Sequence, residues 1–190
     1  VGSGIELAKA VQKKLSPKPK LSVFKSFGTA HMNHKGVDLE FVGARKESYQ
    51  RDSRNPIVED GTLTDDQNRR DFTINAMAIS LNDGLWGELV DPFDGIGDLA
   101  KKLLRTPLNP DKTFDDDPLR MMRAVRFAAQ LNFKIDSTSL MSIRKLADRV
   151  SIVAPERVSQ ELNKIMEVSK PSYGLGLLYT TGILPHILPE

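Results

Sequence analysis

Two segments of this 190-residue chain place arginines and carboxylates at spacings suited to binding a nucleotide. They are RRDFTINAMA at 69–78 and DDPLRMMRAVRF at 116–127. A guanidinium group donates paired hydrogen bonds that suit phosphate oxygens, whereas a carboxylate only accepts. In the first segment we therefore expect Arg70 to hold a triphosphate or stack on a nucleoside, Asp71 to accept from a ribose hydroxyl, and Asn75 to bond either. By itself, this segment is also compatible with a surface ion-pair cluster.

The second segment predicts a helix with Asp117 as its N-cap and Pro118 in the first helical position. At about 100° per residue, Arg120, Arg123 and Arg126 fall within one arc of roughly 120°. We expect their guanidinium groups to rise from one stripe beside the Asp117 carboxylate. Like charges at this spacing repel one another, so the stripe indicates an anionic partner. A solvated arginine face with one capping pair is the simpler alternative.

The pair Asp117 and Arg120 can also select a base. Cytosine and adenine each present an amino donor beside a ring-nitrogen acceptor, whereas guanine and uracil present the reverse order. Because a carboxylate only accepts and a guanidinium only donates, the pair complements C and A and opposes G and U.

Four segments resemble, in order, the motifs of the class II nucleotidyltransferases, which comprise bacterial CCA-adding enzymes (tRNA nucleotidyltransferases) and bacterial poly(A) polymerases. These segments are DDQNRRDFTINAMA at 65–78, DPFDGIGDLAKKLLRT at 91–106, Asp116-Asp117-Pro118-Leu119-Arg120, and PERVSQEL at 155–162. The resemblance implies a template-independent enzyme that adds CMP and AMP from CTP and ATP to the 3′ end of tRNA. The residues assigned to the nucleotide are Arg70, Asp71, Asn75, Asp117, Arg120, Arg123 and Arg126.

The resemblance also implies Mg²⁺ as the cofactor, held by three carboxylates. Two of them belong to an Asp-x-Asp strand that the first half of this chain does not contain, so we expect a fragment that is inactive by itself. The family's third carboxylate lies five residues before an arginine on a strand. In the alternating run at 36–47, Glu40 precedes Arg45 by five, and Asp38 on the same face is the fallback. An edge strand with a solvated polar face is the alternative.

The expected fold class is α+β. Residues 1–106 would form a partial nucleotidyltransferase palm of the polymerase-β type with a small mixed sheet. Residues 107–190 would form an all-helical neck domain that binds nucleotide and RNA. The pattern predicts strands near 21–30 and 36–44, a long mobile loop over 46–67, and helices over 4–15, 97–104, 118–131, 137–148, 155–168 and 172–181.

Composition narrows the possible classes of protein. An apolar fraction of 39% with 27% charged residues is typical of a soluble globular chain. The net charge of +2 predicts a local RNA-binding surface, and the absence of cysteine excludes disulfides and thiolate metal sites. With no long apolar run and no signal peptide visible, we expect a cytoplasmic location, no membrane and no evident protein partner. The single tryptophan, Trp86, is expected in the core.

Three alternatives remain open from the sequence. The chain can come from a poly(A) polymerase or from an enzyme that adds only part of the CCA sequence. It can also be a non-catalytic module that binds nucleotides or RNA.

Overall fold

The structure, a computed structural model, describes residues 2–25, 28–50 and 53–188. The helices are α1 Gly4–Lys14, α2 Leu63–Asn68, α3 Gly95–Lys101, α4 Pro110–Asp116, α5 Leu119–Leu131, α6 Ser137–Leu146, α7 Pro155–Met166, α8 Pro171–Thr180 and α9 Leu184–Ile187, with 3₁₀ turns at Thr73–Asn75 and Ala147–Ile152. The strands are β1 Leu21–Phe24, β2 Thr29–His34, β3 Val37–Val42, β4 Arg45–Gln50, β5 Ser53–Asp60, β6 Ala78–Ile79, β7 Leu89–Val90, β8 Leu103–Leu104 and β9 Lys134–Ile135.

The contacts divide the chain into two compact units. One comprises Val1–Glu47 and Ile57–Asp66, and the other comprises Ser48–Pro56 and Gln67–Glu190. The domain division between residues 106 and 107 stays a prediction. None of the helices within the described ranges is both long and apolar enough to cross a membrane, and the cytoplasmic location stays a prediction too.

The first unit is built on an antiparallel sheet in the order β1-β2-β3, with α1 packed on it. Side chains alternate across a strand, so Ala30 and Met32 of β2 point to the core and meet Ala8 of α1. Leu39 of β3 packs against the same cluster. Gly4 lets α1 approach the sheet, because a Cβ at this position would lie 2.8 Å from the backbone nitrogen of Gly43.

Two predictions for this region are wrong. The strand expected near 21–30 is a hairpin of β1 and β2. The loop expected over 46–67 is the hairpin β4–β5 followed by α2. In a two-stranded ribbon the ladder is made by backbone groups and both strands are edges, so it tolerates polar side chains and the proline at position 56. The polar composition of residues 46–67 was therefore compatible with strands and was not evidence for a loop.

The second unit has one large apolar core, formed around α5, which packs against α7 and α8. Met121, Val125 and Ala128 of α5 are fully buried, as the helical pattern predicts. The other large, fully buried apolar side chains of this unit are Phe72, Leu104, Phe114, Met122, Ile143, Val150, Ile165, Leu178 and Ile183. Neighbouring elements cover α5 so completely that Arg120 and Arg126 are also only 8% exposed.

The α+β class is confirmed. The described pairs of the β1-β2-β3 sheet are both antiparallel. Within residues 107–188, the regular structure is helical except for β9, which pairs in parallel with β8. The helices predicted over 118–131, 137–148, 155–168 and 172–181 correspond to α5, α6, α7 and α8.

A candidate nucleotide-binding cavity

The segment from Arg69 to Asn75 follows α2, ends in the 3₁₀ turn and is held in a fixed conformation. Phe72 is fully buried and anchors the segment in the core. The Thr73 hydroxyl donates to the Asp98 carboxylate at 2.7 Å, and Asp98 also pairs with Arg105 at 2.8 Å. Asp98 is only 2% exposed, so this network is rigid and orients the residues on either side of Phe72.

The structure begins α5 at Leu119 with Pro118 at the N-cap position, one residue later than predicted, and the Asp117 side chain still accepts from the first N–H of the helix. The backbone N–H of Leu119 donates to Asp117 Oδ1 at 3.2 Å, and the N–H of Arg120 donates to the Asp117 carbonyl at 3.0 Å. The cap fixes the carboxylate at the start of the helix, one turn from the Arg120 side chain.

Arg120 connects α5 to two other segments by hydrogen bonds to their backbone carbonyls. Its guanidinium donates to the carbonyl of Arg69 at 2.7 Å and to the carbonyl of Thr113 at 3.3 Å. A guanidinium held by two carbonyls and 8% exposed is a preorganised donor rather than a mobile one.

Arg123 forms a two-pronged ion pair with Asp71. Its Nε and one terminal nitrogen donate to Asp71 Oδ2 at 2.8 and 2.6 Å. The other oxygen, Oδ1, accepts from the Asn75 amide at 3.1 Å and from the N–H of Phe72 at 2.9 Å. Asp71 is nearly buried whereas Arg123 is about one third exposed, so the aspartate holds the arginine in a position where it still meets solvent.

These side chains surround a cavity of about 470 Å³ that lies within the second unit. Its lining residues are Arg69, Arg70, Asp71, Asn75, Asp117, Arg120, Arg123, Phe127 and Arg157. Five arginines face two aspartates, which leaves an excess of three positive charges. The cavity has the charge and the donor groups to bind a polyanion with hydrogen-bonding groups.

Arg126 does not line the cavity, which corrects its predicted place on one stripe with Arg120 and Arg123. Its Nε pairs with Glu161 Oε2 at 2.5 Å, and a terminal nitrogen donates to Gln130 at 2.9 Å. Arg126 lies at the far edge of the arc predicted for the three arginines, and its side chain faces α7 instead of the cavity. A direct contact between Arg126 and a nucleotide stays a prediction.

The structure adds three lining residues that we did not predict: Arg69, Phe127 and Arg157. Phe127 lies beneath two guanidinium groups, those of Arg126 at 3.9 Å and Arg123 at 5.3 Å from the ring centroid, which are cation–π contacts. Arg157 is exposed in the first turn of α7. It belongs to the PERVSQEL segment, so that motif was the available signal.

Asp116, the acid before the cap residue, ends α4 and is partly buried. Burial raises the pKa of its carboxyl group, against the opposing effects of Lys112 and Arg120. A carboxylate at a helix C-terminus also meets the negative end of the helix dipole.

Glu40 lies in the first unit, exposed on β3 opposite His31 of β2. With Phe24, Thr29 and Arg45 it lines a second cavity, of about 290 Å³. Asp38 is also exposed, and a hydrogen bond from Asn33 at 2.8 Å lowers the pKa of its carboxyl group. Among the residues that the structure describes, no three His, Cys, Asp or Glu side chains gather into a metal-binding group, so these residues do not complete a magnesium site.

Comparisons with known proteins relate both regions to RNA-processing enzymes. The family described as the poly A polymerase head domain matches residues 2–105, more than half of the chain. A second family, described as a probable RNA- and SrmB-binding site of polymerase A, matches residues 132–190.

Two curated relatives carry names that state an activity. The chain is 42% identical over 164 residues to the A-adding tRNA nucleotidyltransferase of Aquifex aeolicus, a match covering 86% of this chain and 19% of that protein. It is 40% identical over 158 residues to the CCA-adding enzyme of Limosilactobacillus reuteri, covering 82% and 38%. The chain thus spans about a fifth to two fifths of the length of these relatives.

Solved structures match nearly the whole chain. A tRNA nucleotidyltransferase in complex with a primer tRNA and an incoming ATP analog has a TM-score of 0.81 at 32% identity, covering 99% of this chain and 52% of that one. A CCA-adding enzyme in an apo form has a TM-score of 0.90 at 31% identity, covering 100% and 44%.

Proposed function

Because this chain belongs to the poly A polymerase head domain family, we propose that it is the nucleotide-selecting part of a template-independent RNA nucleotidyltransferase. The enzyme adds CMP and AMP from CTP and ATP to the 3′ end of tRNA. The arginine-rich cavity of the second unit is the observation that carries this proposal. The names of the relatives, and the tRNA and ATP analog bound by a structural neighbour, support tRNA and nucleotides as partners.

The cavity divides between phosphate and base recognition. Arg70, Arg123 and Arg157 hold the triphosphate, whose negative charge the excess of guanidinium groups attracts. Asp117 and Arg120 read the base edge, which requires fixed side chains. The helix cap fixes Asp117, and two backbone carbonyls fix Arg120.

Asp71 combines two roles in this proposal. It accepts from the ribose hydroxyl, together with Asn75, and it positions Arg123 for the phosphates. Its two oxygens already accept four hydrogen bonds, which is about the capacity of a carboxylate. A ribose hydroxyl therefore replaces or shares one of these bonds when the nucleotide enters.

We infer that Glu40 supplies one ligand to Mg²⁺ and that the other carboxylate ligands are not among the described residues. A bound Mg²⁺ supplies activation of the RNA terminal hydroxyl and stabilisation of the pyrophosphate leaving group. Within this chain, Glu40 contributes an exposed carboxylate on a strand whose neighbour on the same face, Asp38, already accepts from Asn33.

A chimera tests the proposal. The matching 158-residue segment of the Limosilactobacillus reuteri CCA-adding enzyme is exchanged for this chain, and the chimera is assayed on tRNA that ends at the discriminator base. We expect CMP and AMP to be added. In the chimera, Glu40→Gln should abolish most turnover and leave CTP affinity nearly unchanged, because the loss falls on the chemical step.

The same assay, run also on tRNA that ends in CC, separates the alternatives. Addition of AMP alone to tRNA ending in CC would assign partial CCA addition, which the Aquifex aeolicus relative favours as the second candidate. Long adenylate tails would assign a poly(A) polymerase. A chimera that binds CTP and transfers nothing would assign a binding module, and loss of turnover in Asp38→Asn but not in Glu40→Gln would assign the metal ligand to Asp38.

A further inference from the structure

The hairpin formed by β6 and β7 exposes several large apolar side chains. Five large apolar side chains within residues 79–89, here named the apolar hairpin, are each at least half exposed: Ile79, Leu81, Leu85, Trp86 and Leu89. Trp86, which we expected in the core, is the most exposed of them at 72%. Ile79 and Leu89 are register partners, so their side chains share one face of the hairpin.

Backbone hydrogen bonds rather than apolar packing hold the apolar hairpin. The N–H of Ser80 donates to the carbonyl of Glu88, and the N–H of Gly87 donates to the carbonyl of Ser80. Isolated exposed apolar residues are ordinary, but a cluster of this size marks an interaction site in a soluble protein. An exposed tryptophan at its tip is a typical anchor for a protein interface.

The local charge indicates which class of partner fits. Residues 79–89 carry two acidic residues, Asp83 and Glu88, and no lysine, arginine or histidine. Both acidic residues are exposed. Binding of nucleic acid depends on cations that neutralise phosphates, and this surface offers only anions. An acidic rim around apolar side chains complements a partner with the opposite charge.

We propose that the apolar hairpin is a docking surface for a protein segment that carries apolar side chains flanked by lysine or arginine. The exposed apolar side chains supply contact area, and Asp83 and Glu88 select the basic flanks. This interaction uses residues outside the nucleotide-binding cavity and does not depend on the proposed transferase activity.

Trp86 is the only tryptophan of the chain, so its fluorescence reports on this surface alone. The probe is a synthetic amphipathic peptide of leucine and lysine, compared with a leucine and glutamate peptide of the same pattern and with single-stranded oligoadenylate. We expect the lysine peptide to shift the Trp86 emission to shorter wavelength and to protect it from acrylamide quenching. The glutamate peptide and the RNA should do neither.

A pair of double variants tests the charge selection. Asp83→Asn with Glu88→Gln should weaken binding of the lysine peptide by roughly two- to tenfold, as expected for the loss of two exposed ion pairs. Asp148→Asn with Glu167→Gln removes the same two charges from exposed positions elsewhere and should leave affinity unchanged. Circular dichroism checks that both variants stay folded.

Three results would overturn the proposal. The first is an equal response to both peptides, or none to either. The second is a Trp86 response to oligoadenylate, which would assign the surface to nucleic acid. The third is a blue shift that grows with the concentration of the chain alone, with a dimer in sedimentation equilibrium, which would assign the surface to a second copy.

Discussion

Asp117 performs two tasks with one carboxylate, since it caps α5 and lies in the cavity beside Arg120. Asparagine separates these tasks because it caps a helix about as well as aspartate but can also donate. In Asp117→Asn we expect an unchanged melting temperature and a fall of about tenfold or more in the preference for CTP over UTP, since a mispaired buried polar contact costs about 1–3 kcal/mol.

Calorimetric titration of the chain with CTP and UTP measures this ratio. Asp136→Asn is the control, because Asp136 caps α6 in the same way and does not line the cavity. If the CTP-to-UTP ratio and the melting temperature of Asp117→Asn both match those of the unsubstituted chain, Asp117 is only a cap.

Arg157 should act on the phosphates and not on the base. Arg157→Ala should weaken CTP and UTP alike, by roughly tenfold or more, because a charged hydrogen bond contributes about 1.5–3 kcal/mol. The salt dependence of binding should fall as well. Arg144→Ala removes the same charge from an exposed position of α6 and should bind both nucleotides normally. Equal affinities of the two variants would show that Arg157 is merely solvated.

The sequence predicted the cavity residues whose positions follow from a motif or from helical geometry. It did not predict the positions of residues that depend on how distant segments pack together. Eight of the nine lining residues lie in the two segments that suggested a nucleotide, since spacing along one helix or one tight turn sets their relative positions. Arg157 comes from a third segment, and nothing in its local pattern gives its distance from α5. Arg126 was misplaced because its partner, Glu161, is 35 residues away.

Among the elements, α5 and α7 are joined by a buried ion pair. Arg126 and Glu161 are 10% and 6% exposed as side chains, and Glu161 also accepts from Lys164. Removing one partner leaves a buried charge uncompensated. We therefore expect Glu161→Ala to lower the free energy of unfolding by about 3–5 kcal/mol.

Urea unfolding followed by circular dichroism measures that loss. Glu167→Ala, an exposed position after the end of α7, should change stability by less than about 0.5 kcal/mol. Arg126→Met combined with Glu161→Leu should recover most of the loss, because an apolar pair avoids desolvating two charges. A loss below about 1 kcal/mol in Glu161→Ala would mean that water reaches Arg126 in the variant.

The secondary-structure elements that the sequence predicted have local patterns, and the missed ones depend on pairing between segments. Helices α5, α6 and α7 have apolar residues at helical spacing, so their inner faces follow from the pattern. Helices α5, α7 and α8 begin at or beside a proline, so their first residues follow from a local rule. The β4–β5 ribbon has no such pattern, because its pairing is made by backbone groups whose partners the side chains do not reveal. Polar composition there was mistaken for a loop.

For the whole molecule, the two units differ greatly in the size of their cores. Among the residues that the structure describes, three, Ala8, Ala30 and Met32, form the buried cluster of the first unit, whereas eighteen form that of the second. Since buried apolar area supplies most of the stability, we expect two unfolding transitions, with the first unit unfolding at lower urea concentration. CTP should stabilise only the later transition, because its cavity is lined by the second unit alone.

Hydrogen exchange at increasing urea concentration, read by mass spectrometry for peptides of each unit, measures both transitions. GTP, which the base-reading pair opposes, is the control ligand and should stabilise less than CTP. Coincident exchange of both units, or an equal effect of CTP on both, would contradict this view.

The bonds by which Arg120 joins its neighbours have a consequence for how this sequence can vary. Arg120 donates to the main-chain oxygens of Arg69 and Thr113. Every amino acid carries a main-chain carbonyl oxygen, so a substitution at position 113 does not by itself remove this hydrogen bond to Arg120. Covariation between positions 113 and 120 should therefore be weak despite their direct contact. In redesign of the cavity, this hydrogen bond does not restrict the residue type at position 113, which is 5% exposed and is restricted by packing instead, while Arg120 has to be kept.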